Sequence, residues 1–190
     1  MASPQLASSI NCVGGQVGIL LSGSYLFNAV DAAGHDAVAY EIQDQCSGHP
    51  QQAGAYHYHG YSPCVDDTHA HTLIGYALDG FGIYGPYDAN GAYLSNADLD
   101  ECHGHLHEIE WDGQIVQMYH YHANYEFPYT VGCFRGTAIQ VQGGQGGQQG
   151  GQPGGQTGGQ QGGPPPGGGQ AGSPPPPPTG GGQGGPPPPP

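Results

Sequence analysis

The sequence predicts a mostly β domain, made of antiparallel hairpins in two duplicated halves, braced by disulfides and followed by a disordered tail. Three observations support this prediction. A segment near the start of the chain recurs near its middle, both copies contain hairpin turn residues, and the composition changes abruptly close to residue 140. We therefore divide the chain into an N-terminal segment (1–16), a β domain (17–140) and a Gly/Gln/Pro-rich tail (141–190).

The repeated segment runs from Val17 to Gly34 and again from Ile74 to Gly91. The first copy reads VGILLSGSYLFNAVDAAG and the second reads IGYALDGFGIYGPYDANG. Identical residues in the ungapped alignment are Gly18/Gly75, Leu21/Leu78, Gly23/Gly80, Asp31/Asp88, Ala32/Ala89 and Gly34/Gly91. Each copy has the pattern of a strand, a tight Ser-Gly or Asp-Gly turn and a returning strand.

The similarity continues downstream, so the repeat is longer than one hairpin. The first copy continues with Cys46-Ser-Gly-His49, Tyr56-His-Tyr-His59 and Cys64, and the second with Cys102-His-Gly-His105, Tyr119-His-Tyr-His122 and Cys133. The halves therefore cover residues 17–64 and 74–133. Four cysteines allow three pairings. Because two cysteines bracket the histidines of each half, the repeat favours Cys46–Cys64 and Cys102–Cys133, with Cys12 unpaired.

The charge balance excludes several classes of function. Arg135 is the single Lys or Arg, against 15 Asp and Glu, and the formal net charge is -14. A phosphate backbone or an anionic membrane surface would be repelled, so the sequence argues against nucleic-acid binding. No apolar run approaches the roughly 20 residues of a membrane-spanning helix.

Cysteine usage indicates an oxidising compartment. The 5 cysteines include no Cys-x-x-Cys pair, which argues against a zinc ribbon or a thioredoxin-type site. Disulfides are typical of secreted, cell-surface and periplasmic proteins, so we expect export. Residues 1–9 show no secretory signal, and we expect that a leader is missing from this sequence. The tail is expected to act as a spacer or to contact a cell wall or matrix.

The 11 histidines are concentrated in strand-like His-x-His pairs. Side chains alternate along a strand, so both histidines of Tyr-His-Tyr-His lie on one face and both tyrosines on the other. In the second half, Asp112-Gly113 predicts a two-residue turn that places Trp111 opposite Gln114. Counting outward, the opposed pairs are His107/Met118, His105/His120 and His103/His122. Directly opposed Cβ atoms lie roughly 4.5–5.5 Å apart, which suits shared coordination of an ion.

The same reasoning places His49 near His57 in the first half, although Pro50 weakens regular pairing there. A further pair, His69 and His71, follows two aspartates and is expected in an exposed loop. The predicted metal ligands are His49, His57, His59, His103, His105, His120 and His122. Imidazole suits copper, zinc, nickel and iron, and the predicted ion is copper or zinc. Affinity favours copper(II) and abundance favours zinc; an exported, disulfide-bonded and histidine-dense site resembles periplasmic copper chemistry, so copper is preferred.

Two alternatives to simple metal binding remain open. Glu101 and Glu108 flank the second histidine group, and a carboxylate beside a metal-bound water would allow hydrolysis. Alternatively, the histidines and tyrosines could form a neutral hydrogen-bonded network in a surface or matrix module. The sequence favours binding over catalysis, because it contains no Gly-x-Ser-x-Gly, no phosphate loop and no His-Glu-x-x-His.

The two Tyr-His-Tyr-His motifs carry a specific resemblance. Together with the Cys-x-Gly-His elements, the segment IGYALDGFGIYGP and the segment FPYTVGCFRG, they are similar to the YHYH-domain family over approximately Val17 to Gly136. Members of that family are typically exported, and their biochemical role is poorly defined. The resemblance thus implies export and marks the histidines of the motifs, with His49 and His105, as the positions to test.

Overall fold

The computed structural model describes residues 3–51, 53–66, 68 and 70–141. Within them lie ten strands, a short α-helix and a short 3-10 helix at Asn96–Asp98. The strands of the first half and its flanks are β1 (Leu6–Cys12), β2 (Gln16–Leu20), β3 (Tyr25–Phe27), β4 (Gly48–Pro50) and β5 (Tyr56–Tyr58), with α1 (Ala37–Tyr40) between β3 and β4. The remaining strands are β6 (Leu73–Ala77), β7 (Gly82–Tyr84), β8 (Gly104–Trp111), β9 (Gln114–His122) and β10 (Cys133–Gly136). No helix in this part of the chain is long and apolar enough to cross a membrane. The predicted tail lies outside the described residues from 142 onward.

The main sheet has the symmetry of the repeat. Its eight strands follow the order β4-β5-β3-β2-β6-β7-β9-β8, in which the second half mirrors the first. The equivalent strands β2 and β6 pair antiparallel at the centre, with Ile19 opposite Tyr76. These two residues are also equivalent in the sequence repeat, so a local two-fold axis passes through their pair. The mostly β fold in two duplicated halves is therefore confirmed.

Glycines allow the two halves to meet at this axis. A Cβ atom on Gly75 would lie 2.6 Å from the carbonyl oxygen of Ile19, and one on Gly18 would lie 2.8 Å from that of Tyr76. Real Cβ atoms do not approach backbone this closely, so a side chain at either position would push β2 and β6 apart. This close approach of the two backbones explains why both copies of the repeat have glycine at this position.

The sheet is mixed rather than purely antiparallel. β3 pairs parallel with β5, and β7 pairs parallel with β9. In each half, a further strand lies between these partners in the sequence. In the first half it is β4, which forms an antiparallel hairpin with β5, and in the second it is β8, which forms one with β9. The second strand of each hairpin therefore returns to the sheet parallel to β3 or β7. A parallel neighbour requires a long crossover connection, which the hairpin pattern in the sequence does not reveal.

The N-terminal segment contributes a strand that the sequence pattern did not predict. β1 pairs antiparallel with β10 in a separate two-stranded sheet. At one end of this pair Cys12 lies directly opposite Cys133. Most of β1 is exposed to solvent, and its composition is polar and small, so it carries no strong strand signal.

The disulfide prediction is confirmed in both halves. Cys46 bonds to Cys64, Cys102 bonds to Cys133, and Cys12 is a free, exposed thiol. Each bridge joins the loop before the first histidine strand of its half to the segment after the Tyr-His-Tyr-His strand. The bridges therefore brace the histidine strands at equivalent places.

The tyrosines of the motifs pack on the face opposite the histidines, as predicted. Tyr121 is completely buried in the core beside Phe81. Its hydroxyl donates to Asp79 Oδ2 at 2.6 Å and accepts from the Arg135 backbone N–H at 2.8 Å. The Gly136 N–H donates to the same carboxylate oxygen at 2.8 Å, so the buried Asp79 side chain receives hydrogen bonds from the protein in place of water. β9 is consequently covered on its tyrosine face and turns its histidines to the other.

Candidate metal centres

The first half brings four side chains together, here called the first cluster: Glu41, His49, His57 and His59. One ligand atom from each lies within 4.8 Å of every other. His49 on β4 faces His57 on β5, as predicted, and Pro50 ends β4 without disturbing that pair. His59 follows β5 by one residue, and Glu41 follows the last residue of α1.

A carboxylate in the preceding loop holds the first histidine strand in place. Asp44 Oδ1 accepts from the backbone N–H groups of Cys46 at 2.8 Å and Gly48 at 3.3 Å, and the Tyr56 hydroxyl donates to Oδ2 at 2.7 Å. The second half repeats this arrangement with Asp100, which accepts from Cys102, Gly104 and Tyr119. The repeated Cys-x-Gly-His element thus forms an anchored turn that delivers His49 and His105.

The ring nitrogens of the first cluster face one another. His57 Nε2 lies 3.1 Å from His59 Nε2, and Glu41 Oε2 lies 3.1 Å from both His49 Nε2 and His59 Nε2. Glu41 Oε2 is buried and makes no well-aligned hydrogen bond. His59 Nδ1 donates to the Asn28 carbonyl at 2.6 Å, and His57 Nδ1 to the Ala55 carbonyl at 3.4 Å. A carbonyl can only accept, so each neutral ring carries its proton on Nδ1 and presents an Nε2 lone pair to the cluster.

The second half forms an equivalent group, here called the second cluster: His71, His105, His120 and His122. The ligand atoms of His71, His120 and His122 lie within 4.8 Å of one another. His105 Nε2 lies 3.1 Å from His120 Nε2 and 3.2 Å from His122 Nε2. The Nδ1 atoms are again held by carbonyls, that of His122 by Gly85 at 2.6 Å and that of His120 by Met118 at 3.1 Å. Gly85 is the repeat equivalent of Asn28, so the orienting bond is duplicated too.

The register predicted from Asp112-Gly113 is confirmed. Trp111 pairs with Gln114, His107 with Met118 and His105 with His120. His107 is nevertheless exposed at the margin, with its ring 5.6 Å from that of His105, and is not among the clustered ligands.

His103 lies outside the second cluster, although the register placed it opposite His122. It precedes β8 with a φ of 71°, the same left-handed conformation as its equivalent Ser47, and this conformation turns its side chain away. Its Nδ1 donates to the His122 carbonyl at 2.7 Å, and its Nε2 lies 2.7 Å from Asn96 Oδ1. Both ring nitrogens are thereby occupied, so His103 supports the backbone of His122.

Neither carboxylate proposed from the sequence as an acid or base reaches a cluster. Glu101 is 66% exposed, with Oε1 3.9 Å from Arg135 Nη1. Glu108 is exposed and, by strand alternation, lies on the opposite face of β8 from His105. The carboxylate that does reach the first cluster is that of Glu41. No motif marks it, because it comes from the end of α1.

His71 was expected in an exposed loop but is half-buried. Its ring stacks on Tyr84 with centroids 4.3 Å apart and an interplanar angle of 12°. The segment is held there because the Gly85 N–H donates to the Thr72 carbonyl at 2.9 Å, next to the carbonyl that orients His122. The sequence signal that could have identified His71 as a ligand is the third His-x-His pair, His69 and His71. His69 lies outside the described residues.

Six of the clustered histidines have pKa values below the ordinary value of histidine and are neutral at neutral pH. Burial, reinforced by neighbouring imidazoles, lowers the pKa of His57 to about 4, and burial lowers that of His120 to about 3. Burial also lowers the pKa values of His59, His71, His105 and His122. Unprotonated imidazole is the form that binds a metal ion, so these six rings need no deprotonation above about pH 6.5.

The two clusters belong to different ends of the sheet. β5 and β9 are separated by five inter-strand steps, roughly 24 Å at the usual strand spacing. A single ion cannot be shared over that distance, so any coordination is by one site in each half.

Comparison with known proteins gives one match. Residues 2–93 match the model of the family described as YHYH protein. The match includes the strands from β1 to β7 and the first Tyr-His-Tyr-His motif, while the second motif is tied to it by the internal duplication. No curated protein and no solved structure matches the chain. The resemblance to the YHYH family is therefore confirmed over residues 2–93, which include the motif that gives the family its name.

Proposed function

We propose that this protein binds transition-metal ions outside the cytoplasm, with one ion in each half. The observation that carries the proposal is the direction of the imidazole lone pairs. In both halves, the two histidines of Tyr-His-Tyr-His donate Nδ1–H to backbone carbonyls and aim Nε2 at a common point. Holding the remote ring nitrogen in this way is the usual support of metal-ligating histidines.

A purely structural network of histidines accounts less well for these contacts. Each neutral ring has one N–H, and the carbonyls already take it from His57, His59, His120 and His122. Two Nε2 lone pairs 3.1 Å apart in the first cluster then repel each other. A cation between them turns this repulsion into coordination, whereas a network of hydrogen bonds would need protons that these rings do not have.

The donor set selects the class of metal. Nitrogen-rich sites suit zinc, copper, nickel and iron, whereas calcium and magnesium require mainly oxygen ligands. Copper and zinc are the ions we propose. The disulfides and the family support a location in an oxidising, extracytoplasmic compartment.

Hydrolysis is the weaker candidate. It requires an open coordination position and a carboxylate that is free to act as a base. Among the described residues, Glu41 is the one carboxylate found in either cluster. Its Oε2 lies 3.1 Å from both His49 Nε2 and His59 Nε2, where all three atoms could bind the same ion. We therefore assign it to metal binding.

Metal binding is tested on the untagged chain after chelator treatment. We expect two equivalents of copper(II) or zinc per chain by elemental analysis after desalting, and one equivalent in the double variant His57→Ala/His59→Ala. His35→Ala is the matched control, because His35 is exposed and belongs to neither cluster. No uptake by the unmodified chain, with the same thermal stability with and without metal, would refute the proposal.

A further inference from the structure

The two clusters share three histidines and differ in the fourth ligand. His49, His57 and His59 correspond in the repeat to His105, His120 and His122. The first cluster is completed by the carboxylate of Glu41, and the second by the imidazole of His71. The first site therefore offers three nitrogens and one oxygen. The second offers nitrogens alone: ligand atoms of His71, His120 and His122 lie within 4.8 Å of one another, and His105 Nε2 lies 3.1 Å from His120 Nε2 and 3.2 Å from His122 Nε2. His71 and His105 do not belong to one such group, so four-nitrogen coordination requires one of these two rings to move towards the ion.

Neither fourth ligand has a counterpart in the other half. Counting from the shared aspartates Asp31 and Asp88, Glu41 corresponds to Asp98, whose Oδ2 instead accepts from the backbone N–H of Ser95 at 2.9 Å and from its hydroxyl at 2.7 Å. By the same count His71 corresponds to Gly14, which has no side chain. The difference between the sites is thus fixed by sequence and does not depend on a rotamer.

Assuming the proposed function, we infer that the two sites prefer different metals, zinc in the first cluster and copper(II) in the second. Three imidazoles and a carboxylate form a ligand set of the kind that zinc takes in tetrahedral sites. Four imidazoles give the nitrogen-only field that copper(II) prefers in tetragonal geometry. The carboxylate also neutralises one charge of the ion, whereas the second site leaves both charges uncompensated by its ligands.

The inference concerns the order of filling. Copper(II) binds most nitrogen and oxygen sites more tightly than zinc does, so excess copper would enter both clusters. With one equivalent of each metal per chain, copper is expected in the second cluster and zinc in the first. Copper in a four-nitrogen site has a nitrogen hyperfine pattern in electron paramagnetic resonance that identifies its ligands.

The experiment compares the unmodified chain with Glu41→Gln and His71→Gln after loading with one equivalent each of copper(II) and zinc. The unmodified chain should retain both metals and show a four-nitrogen copper spectrum. His71→Gln should change that spectrum and weaken copper binding at least tenfold. Glu41→Gln should leave the spectrum unchanged and lose zinc.

Each result has a defined meaning. If copper spreads over both clusters in the unmodified chain, or if His71→Gln leaves the copper spectrum as it was, the inference is wrong while metal binding stands. If neither metal stays with the unmodified chain, the proposed function itself fails, and the inference fails with it.

Discussion

Acidification of the metal-free protein should destabilise it well before its carboxylates are protonated. The pKa of His57 is about 4 and that of His120 about 3 in the folded chain, against 6.5 for an ordinary histidine. Between these values the unfolded chain binds more protons than the folded chain, so stability falls as pH decreases from about 6.5. At pH 5 the loss is about 2 kcal/mol for each of these two groups. Since domains are stable by about 5–15 kcal/mol, the combined loss of about 4 kcal/mol is large.

The assay is urea denaturation of the chelator-treated chain at pH 7.5, 6 and 5, with its disulfides intact. Unfolding is followed by the fluorescence of Trp111, which ends β8 and has its ring 6.1 Å from that of Tyr76 on β6. His120→Gln should remove part of the loss between pH 7.5 and 5, and the exposed His35→Gln should not. A free energy of unfolding that stays within about 1 kcal/mol across this range would show that the imidazoles are not buried in neutral form.

The remaining predictions concern the scaffold. Gly75→Ala should cost about 1–3 kcal/mol in denaturation experiments, because its Cβ would collide with the carbonyl of Ile19 across the central strand pair. Tyr121→Phe should cost about 2–4 kcal/mol by the same measurement, because Asp79 loses a buried donor and the Arg135 N–H loses its acceptor. The native chain should show one thiol to a thiol reagent without reduction, and Cys12→Ser should abolish that reaction.

These scaffold predictions have direct controls. Gly14→Ala should be nearly neutral, because no atom lies within 4 Å of its added Cβ. Tyr40→Phe should also be nearly neutral, because Tyr40 is 71% exposed. Equal losses in Gly14→Ala and Gly75→Ala would contradict the close approach at the two-fold axis. A native thiol that survives in Cys12→Ser would contradict the disulfide pairing.

The sequence was sufficient to predict the features that depend on a local turn or on the internal repeat. Asp112-Gly113 is a two-residue turn, and such a turn fixes which residues of a hairpin face each other, so the pair His105/His120 followed directly. The repeat then transferred the expectation to His49 and His57, where no such turn exists. The same repeat selected one of three disulfide pairings.

The site residues that the sequence reasoning missed or misplaced depend on contacts between distant segments or on backbone conformation outside the strands. Glu41 reaches its cluster through the crossover that makes β3 and β5 parallel, and no periodicity in the sequence reports that crossover. His71 is placed by a backbone bond from Gly85 to Thr72. His103 was assigned by counting along β8, but a left-handed residue outside the strand does not follow strand alternation.

The position of each ligand in the repeat explains why the clusters are similar and yet distinct. The three shared histidines lie on or directly beside paired strands, and an anchored turn and a disulfide hold those strands in both halves, so the duplicated register repeats their geometry. The fourth ligand comes from segments outside these strands, where the copies have different residues. Its change from carboxylate to imidazole alters the charge and donor type of a site without disturbing the sheet. Metal preference can therefore diverge between the halves while the fold remains symmetric, which is why Glu41 and His71, rather than the motif histidines, decide whether the two sites differ.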